Sequence, residues 1–188
     1  MASNQISKSL VLTELPVFSC SLLDAAPALI LAKAVVEQLR LQHPQSTPSN
    51  VMAQYMSPWK SHLLTDLLNP LIDLVAGKIK EASHSHLYLD LEQLNYDLVV
   101  ADCWCAVYEQ DSFALAHNHF PSDFSCVVYL EMDNTSAPIV FNNDLVVYPE
   151  VGTVIFFPGL LPHHVPKTQG KRTVVAINYI KIPKIKMA

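Results

Sequence analysis

Between His86 and Ile182 the sequence falls into about eight short runs rich in β-branched and aromatic residues, with no helical stretch between them. The runs are His86–Leu91, Leu98–Tyr108, Phe113–His119, Phe124–Met132, Ile139–Phe141, Leu145–Tyr148, Thr153–Phe157 and Arg172–Ile182. The pattern therefore predicts an all-β sandwich or barrel such as a jelly roll.

The first half reads differently. Asp24 can cap a helix that runs to about Leu41, with Pro27 in the first turn, where a missing N–H costs least. His43-Pro44 ends that helix, and Gln45 to Asn50 is a polar loop. A second helical stretch spans Ser61 to Ala82, with Pro70 breaking or kinking it after Asn69. No repeat or linker divides the chain. The expectation is one domain over residues 1–188, with a helical part at about 20–82 packed on a β core at about 86–183.

Composition narrows the function. A net charge of −5 gives no general attraction for nucleic acid or acidic membranes, which require basic patches. The basic cluster Lys181, Lys184 and Lys186 reads as a solvated tail. Cys103 and Cys105 flank Trp104 and share one strand face, but no second cysteine pair follows at zinc-finger spacing. With Cys20 and Cys126 they read as free thiols in a reducing compartment. The start of the chain has no charged segment followed by a clean apolar stretch. The apolar run Ala25–Val36, broken by Pro27 and Lys33, is too short to span a bilayer. A soluble cytoplasmic protein is expected.

The chemistry concentrates in histidines. His117 and His119 stand two apart at the end of a strand-like run, on one face and roughly 6.6 Å apart along the chain. Two such imidazoles can converge on one ion through bonds of about 2.0–2.1 Å. A third ligand can come from His163 or His164, which follow an apolar, Pro-flanked turn, and spacing alone does not choose between them. His84-Ser-His86 has the same spacing as the first pair but lies in a polar stretch, and it reads as surface. Asp123 is a further candidate carboxylate, though four residues beyond His119. Arg172 opens an apolar strand whose alternation groups Arg172, Val174, Ala176 and Asn178 on one face. Such a cation either snorkels to solvent or points inward and needs an anion, which a planar guanidinium binds bidentately.

The ordered set Trp104-Cys-Ala-Val-Tyr108, His117-Asn-His119-Phe-Pro121, Ser125-Cys-Val-Val-Tyr129, Gly152-Thr-Val-Ile-Phe-Phe-Pro158, His163 and Arg172-Thr-Val-Val-Ala-Ile-Asn178 resembles the 2-oxoglutarate- and iron(II)-dependent oxygenases, on their prolyl-hydroxylase-like side. The resemblance covers about Asp102 to Tyr179 and implies a double-stranded β-helix. It assigns iron(II) to His117, His119 and His163, because Arg172 then follows His163 by nine residues, as that family's 2-oxoglutarate-binding arginine commonly does. It implies that Tyr129 shares the far carboxylate of 2-oxoglutarate with Arg172, and that Tyr108 contacts the cofactor. The implied activity is a dioxygenase, most simply a hydroxylase, that uses 2-oxoglutarate and molecular oxygen on an unknown small-molecule or peptidyl substrate. His119 departs from the usual pattern, which has a carboxylate there. Two alternatives stand beside this reading. One is a three-histidine iron dioxygenase of cupin type without 2-oxoglutarate, and the other is a non-catalytic metal- or ligand-binding jelly roll.

Overall fold

A computed structural model describes residues 14–87 and 90–184. In chain order its elements are β1 (Phe18–Ser21), α1 (Ala26–Gln42), β2 (Val51–Met52), β3 (Tyr55–Met56), α2 (Asn69–Leu87), β4 (Tyr96–Tyr108), β5 (Phe113–His117), β6 (Phe124–Met132), β7 (Ile139–Phe141), β8 (Leu145–Val147), β9 (Thr153–Pro158), β10 (His163–Val165) and β11 (Arg172–Pro183). Six strands form one sheet in the order β1-β9-β6-β11-β4-β3, and five form another in the order β2-β5-β10-β7-β8. The strand pairs are antiparallel. Two facing antiparallel sheets with helices packed outside the larger one make the jelly roll that the strand pattern predicts.

The period-two alternation of the long strands divides the interior into two layers. Cys103, Cys105 and Val107 of β4 and Val175 and Ile177 of β11 face the helices, where they meet Val35, Val36 and Leu39 of α1 and Leu71, Val75 and Ile79 of α2. The alternate residues Trp104, Ala106, Tyr108, Val174 and Ala176 face the smaller sheet and pack with Ala114, Ile139, Phe141 and Val165. Each large side chain so buried contributes about 1.5–3 kcal/mol relative to exposure. Strand β11 pairs with β4 on one side and β6 on the other, so it forms the middle of the larger sheet. The Tyr179 hydroxyl donates to the Ile72 carbonyl at 2.7 Å and ties this strand to α2.

The structure corrects several local expectations. Asp24 does not cap α1; it lies in a 3-10 turn, Leu23–Ala25, and the helix begins after Ala25 without a side-chain cap. Pro70 starts α2 instead of breaking it, because the preceding stretch is two 3-10 turns, Ser61–Leu63 and Asp66–Leu68. A proline in the first turn gives up no intrahelical hydrogen bond. His86 closes α2 where a strand was expected, and Tyr88 and Leu89 of that expected strand lie outside the described residues. The first half also holds three strands, β1 to β3, each pairing with a distant strand. The basic tail is ion-paired: Lys181 meets Asp123 at 3.1 Å and Lys184 meets Glu92 at 2.6 Å, while Lys186 lies outside the described residues. The four cysteines are free thiols. Among the described residues no helix is long and apolar enough to cross a membrane.

Candidate metal centre

Strands β5 and β10 are neighbours in the smaller sheet, and their register sets His163 directly opposite His117. Their ring centroids lie 4.4 Å apart. His119 lies past the end of β5, not on it. The turn after β9 holds it there: the His119 amide donates to the Gly159 carbonyl at 2.6 Å, and the Gly159 amide donates to the Asp123 carbonyl at 2.9 Å. A side chain at Gly159 would place its Cβ 2.1 Å from the Ser122 carbonyl oxygen, so only glycine permits this approach. The Nε2 atoms of His119 and His163 are 3.3 Å apart. One ring nitrogen from each of His117, His119 and His163 falls within 4.8 Å of the others. One ion with bonds of about 2.0–2.1 Å can bridge that spacing after small ring rotations.

The neighbouring candidates point elsewhere. His164 alternates to the outer face of β10, beside Phe113 and Leu115. His84 and His86 are exposed at the end of α2. Asp123 is committed to β11: its carboxylate accepts from the Lys181 amide at 2.6 Å and pairs with the Lys181 ammonium.

Protonation suits the three rings to metal binding. Burial, with the neighbouring imidazoles adding to it, depresses His119 to about 3. Burial depresses His163 to about 4 and lowers His117 as well. All three are therefore neutral near pH 7, with lone pairs to give. The Nδ1–H of His117 donates to the Leu115 carbonyl at 2.7 Å, and that of His163 to the Leu161 carbonyl at 3.2 Å. A carbonyl can only accept, so both rings are Nδ1–H tautomers whose bare Nε2 faces the centre. Trp104 packs its ring 5.8 Å from that of His119.

The same cavity, between the sheets, continues to Arg172, Tyr129 and Tyr108. Arg172 is 2% exposed, so it does not snorkel to solvent. One guanidinium nitrogen donates to the Ala137 carbonyl at 3.1 Å, and the group lies over the Tyr108 ring, 4.1 Å from its centroid. Among the described residues no carboxylate pairs with Arg172. Its Nε and the nearby Tyr129 hydroxyl are buried without hydrogen-bond partners. Burial pushes Tyr129 up to about 12 against the pull of Arg172, so its hydroxyl keeps its proton and can donate. An uncompensated buried cation costs several kcal/mol, which an anion bound here would offset. A carboxylate fits both orphaned donors.

No protein-family model and no curated protein sequence matches the chain. Solved structures do. A Pseudomonas putida prolyl-4-hydroxylase superposes with a TM-score of 0.60 at 15% identity, covering 87% of this chain and 91% of its own. The viral collagen prolyl hydroxylase of Paramecium bursaria Chlorella virus-1, solved with 2-oxoglutarate, gives 0.59 at 14% identity, covering 87% and 94%. An α-ketoglutarate-dependent non-haem carbocyclase of nogalamycin biosynthesis gives 0.64 at 10% identity, covering 91% and 83%. The chain has the fold that these two hydroxylases and the carbocyclase share. Within this fold the three histidines and Arg172 line one cavity between the sheets.

Two neighbours of the centre are absent from the sequence reading as site residues. Asn178 places its amide 3.3 Å from His119 Nδ1, and Trp104 packs on the same ring. The alternation that groups Asn178 with Arg172 is the one signal that pointed to Asn178.

Proposed function

We propose that the protein is a 2-oxoglutarate- and iron(II)-dependent dioxygenase, in the simplest case a hydroxylase. The observation that carries this reading is the pairing, in one cavity, of three neutral convergent imidazoles with a buried guanidinium that has no carboxylate partner. His117, His119 and His163 would hold the iron, and Arg172 with the Tyr129 hydroxyl would hold the far carboxylate of the cofactor. When bound, iron(II) would activate molecular oxygen as the oxidant, and 2-oxoglutarate would supply two of the electrons that reduce it, leaving as succinate and carbon dioxide.

The chain's own residues supply position and exclusion. Arg172 and Tyr129 are buried and present fixed donors, so they would bind an anion with little reorganisation. Tyr108 stacks against the guanidinium and holds its plane. Phe157 and Phe141 pack against His163, with ring centroids at 4.7 Å and 5.8 Å, and limit its rotation. With neutral His119 in place of a carboxylate, the histidine set offsets none of the metal's charge, which strengthens attraction for a dianionic cofactor.

Arg172, nine residues after His163, favours this reading over a cupin-type dioxygenase without co-substrate, and succinate formation that depends on 2-oxoglutarate separates the two. Calorimetry on protein loaded with iron(II) under anaerobic conditions tests the proposal: 2-oxoglutarate should bind, and succinate should form when oxygen is admitted. A metal-loaded protein that binds no 2-oxoglutarate would sink it.

A further inference from the structure

Resting on the metal-site reading above, we infer that Asn178 is the positioning residue that fixes the tautomer of His119. His117 and His163 each have a backbone carbonyl to receive Nδ1–H, and His119 has none. Its Nδ1 faces the side-chain amide of Asn178, which is 4% exposed on the central strand β11.

The amide has two orientations, which exchange its oxygen and nitrogen in place. With Nδ2 toward His119, the ring must accept at Nδ1 and carry its proton on Nε2, in the middle of the three-histidine cluster. That orientation also leaves Asn178 Oδ1 buried without a partner. With Oδ1 toward His119, the amide accepts from Nδ1–H and bares Nε2, as the carbonyls do for the other two rings. The orphaned oxygen is then satisfied.

The second orientation makes all three rings alike, each with a bare Nε2 toward the ion, whereas the first points a proton from His119 Nε2 at His163 Nε2, 3.3 Å away. A metal-ligating histidine generally donates its other N–H to an oxygen, and loss of that partner costs roughly 10–100-fold in metal affinity. Here histidine in place of a carboxylate at position 119 creates the need, because a carboxylate ligand has no tautomer to set.

The test uses full-length protein and zinc(II), with affinity read by competition against a chromophoric chelator. Asn178→Leu should lower zinc affinity roughly 10–100-fold, and in 1H–15N spectra of the zinc form one of three protected imidazole N–H signals should be lost. Asn178→Asp, which can accept but not donate, should keep both affinity and signal. If Asn178→Leu does not fold, Asn178→Asp decides alone: affinity kept supports the acceptor role, and affinity lost assigns Asn178 as a donor and overturns the inference. Wild-type affinity in a folded Asn178→Leu protein would overturn it while leaving the metal site intact. Failure of the wild-type protein to bind zinc would overturn the metal-site reading and this assignment together.

Discussion

His117 and His163 are direct partners across the β5–β10 ladder, 46 positions apart in the chain and 4.4 Å apart between ring centroids. Antiparallel pairing of short strands brings them together, and strand alternation decides which member of the His163-His164 pair takes part. His163→Ala should therefore abolish binding of zinc or iron(II), whereas His164→Ala, on the outer face, should change affinity less than about threefold, within the scatter of surface substitutions. Metal titration of both variants checks this, and the reverse order would mean that the register is wrong.

Arg172 makes opposite contributions to folding and to binding. Replacing it with Met should weaken 2-oxoglutarate binding roughly 100-fold, the value of a strong charge-assisted hydrogen bond, with little change in metal affinity. The same substitution removes a buried unpaired cation, so the ligand-free variant should melt at a higher temperature than wild type. Tyr129→Phe should cost about tenfold in 2-oxoglutarate affinity, the share of one neutral donor. Calorimetry and thermal denaturation together separate these effects.

Gly159 holds His119 by its carbonyl and meets the Ser122 backbone where a side chain would stand. Gly159→Ala should force the two backbones apart, costing about 1–3 kcal/mol of stability. It should also lower metal affinity, because the displaced carbonyl moves the His119 amide. A variant as stable as wild type, with unchanged zinc affinity, would show that the turn tolerates the extra atom.

The thiols between the larger sheet and the helices give a pH test. Burial pushes Cys105 up to about 12, although the Ser57 hydroxyl opposes this, and it raises Cys103 and Cys126 well above the ordinary value of 9.0. Only the thiolate reacts, so the folded protein should resist alkylation at these positions at pH 8, while half-buried Cys20 is modified first. A raised folded-state value favours the protonated form in the native protein. The stability tied to Cys105 is thus complete below pH 9.0 and is lost as pH climbs toward about 12. Mass spectrometry of alkylated protein and alkaline melting curves measure both.

The strands β4 to β9 and β11 were legible in the sequence as short runs of β-branched and aromatic residues, which strands buried on both faces carry almost continuously, with successive side chains on opposite faces. The grouping of Arg172 with Val174, Ala176 and Asn178 follows from the same rule, and β11 obeys it. The two-residue strands β2 and β3 carry no periodicity to read, and β10 is three residues in a Pro-flanked turn; pairing partners alone define them. Local chemistry was also insufficient at Asp24 and Pro70, where 3-10 turns precede the helices and shift their starts.

The sequence by itself determined which residues could do the chemistry: three histidines able to bind one ion, an arginine in need of an anion, and a tyrosine able to help it. Tertiary structure decided what isolated spacing left open. It turned His163 inward and His164 outward, buried Arg172 away from every described carboxylate, and committed Asp123 to Lys181. It also brought Asn178 to His119 from 59 residues away. The physical reason is range. Alternation along a strand is local, whereas the partner of a buried charge or imidazole is fixed by which strands pair, and that depends on contacts throughout the fold.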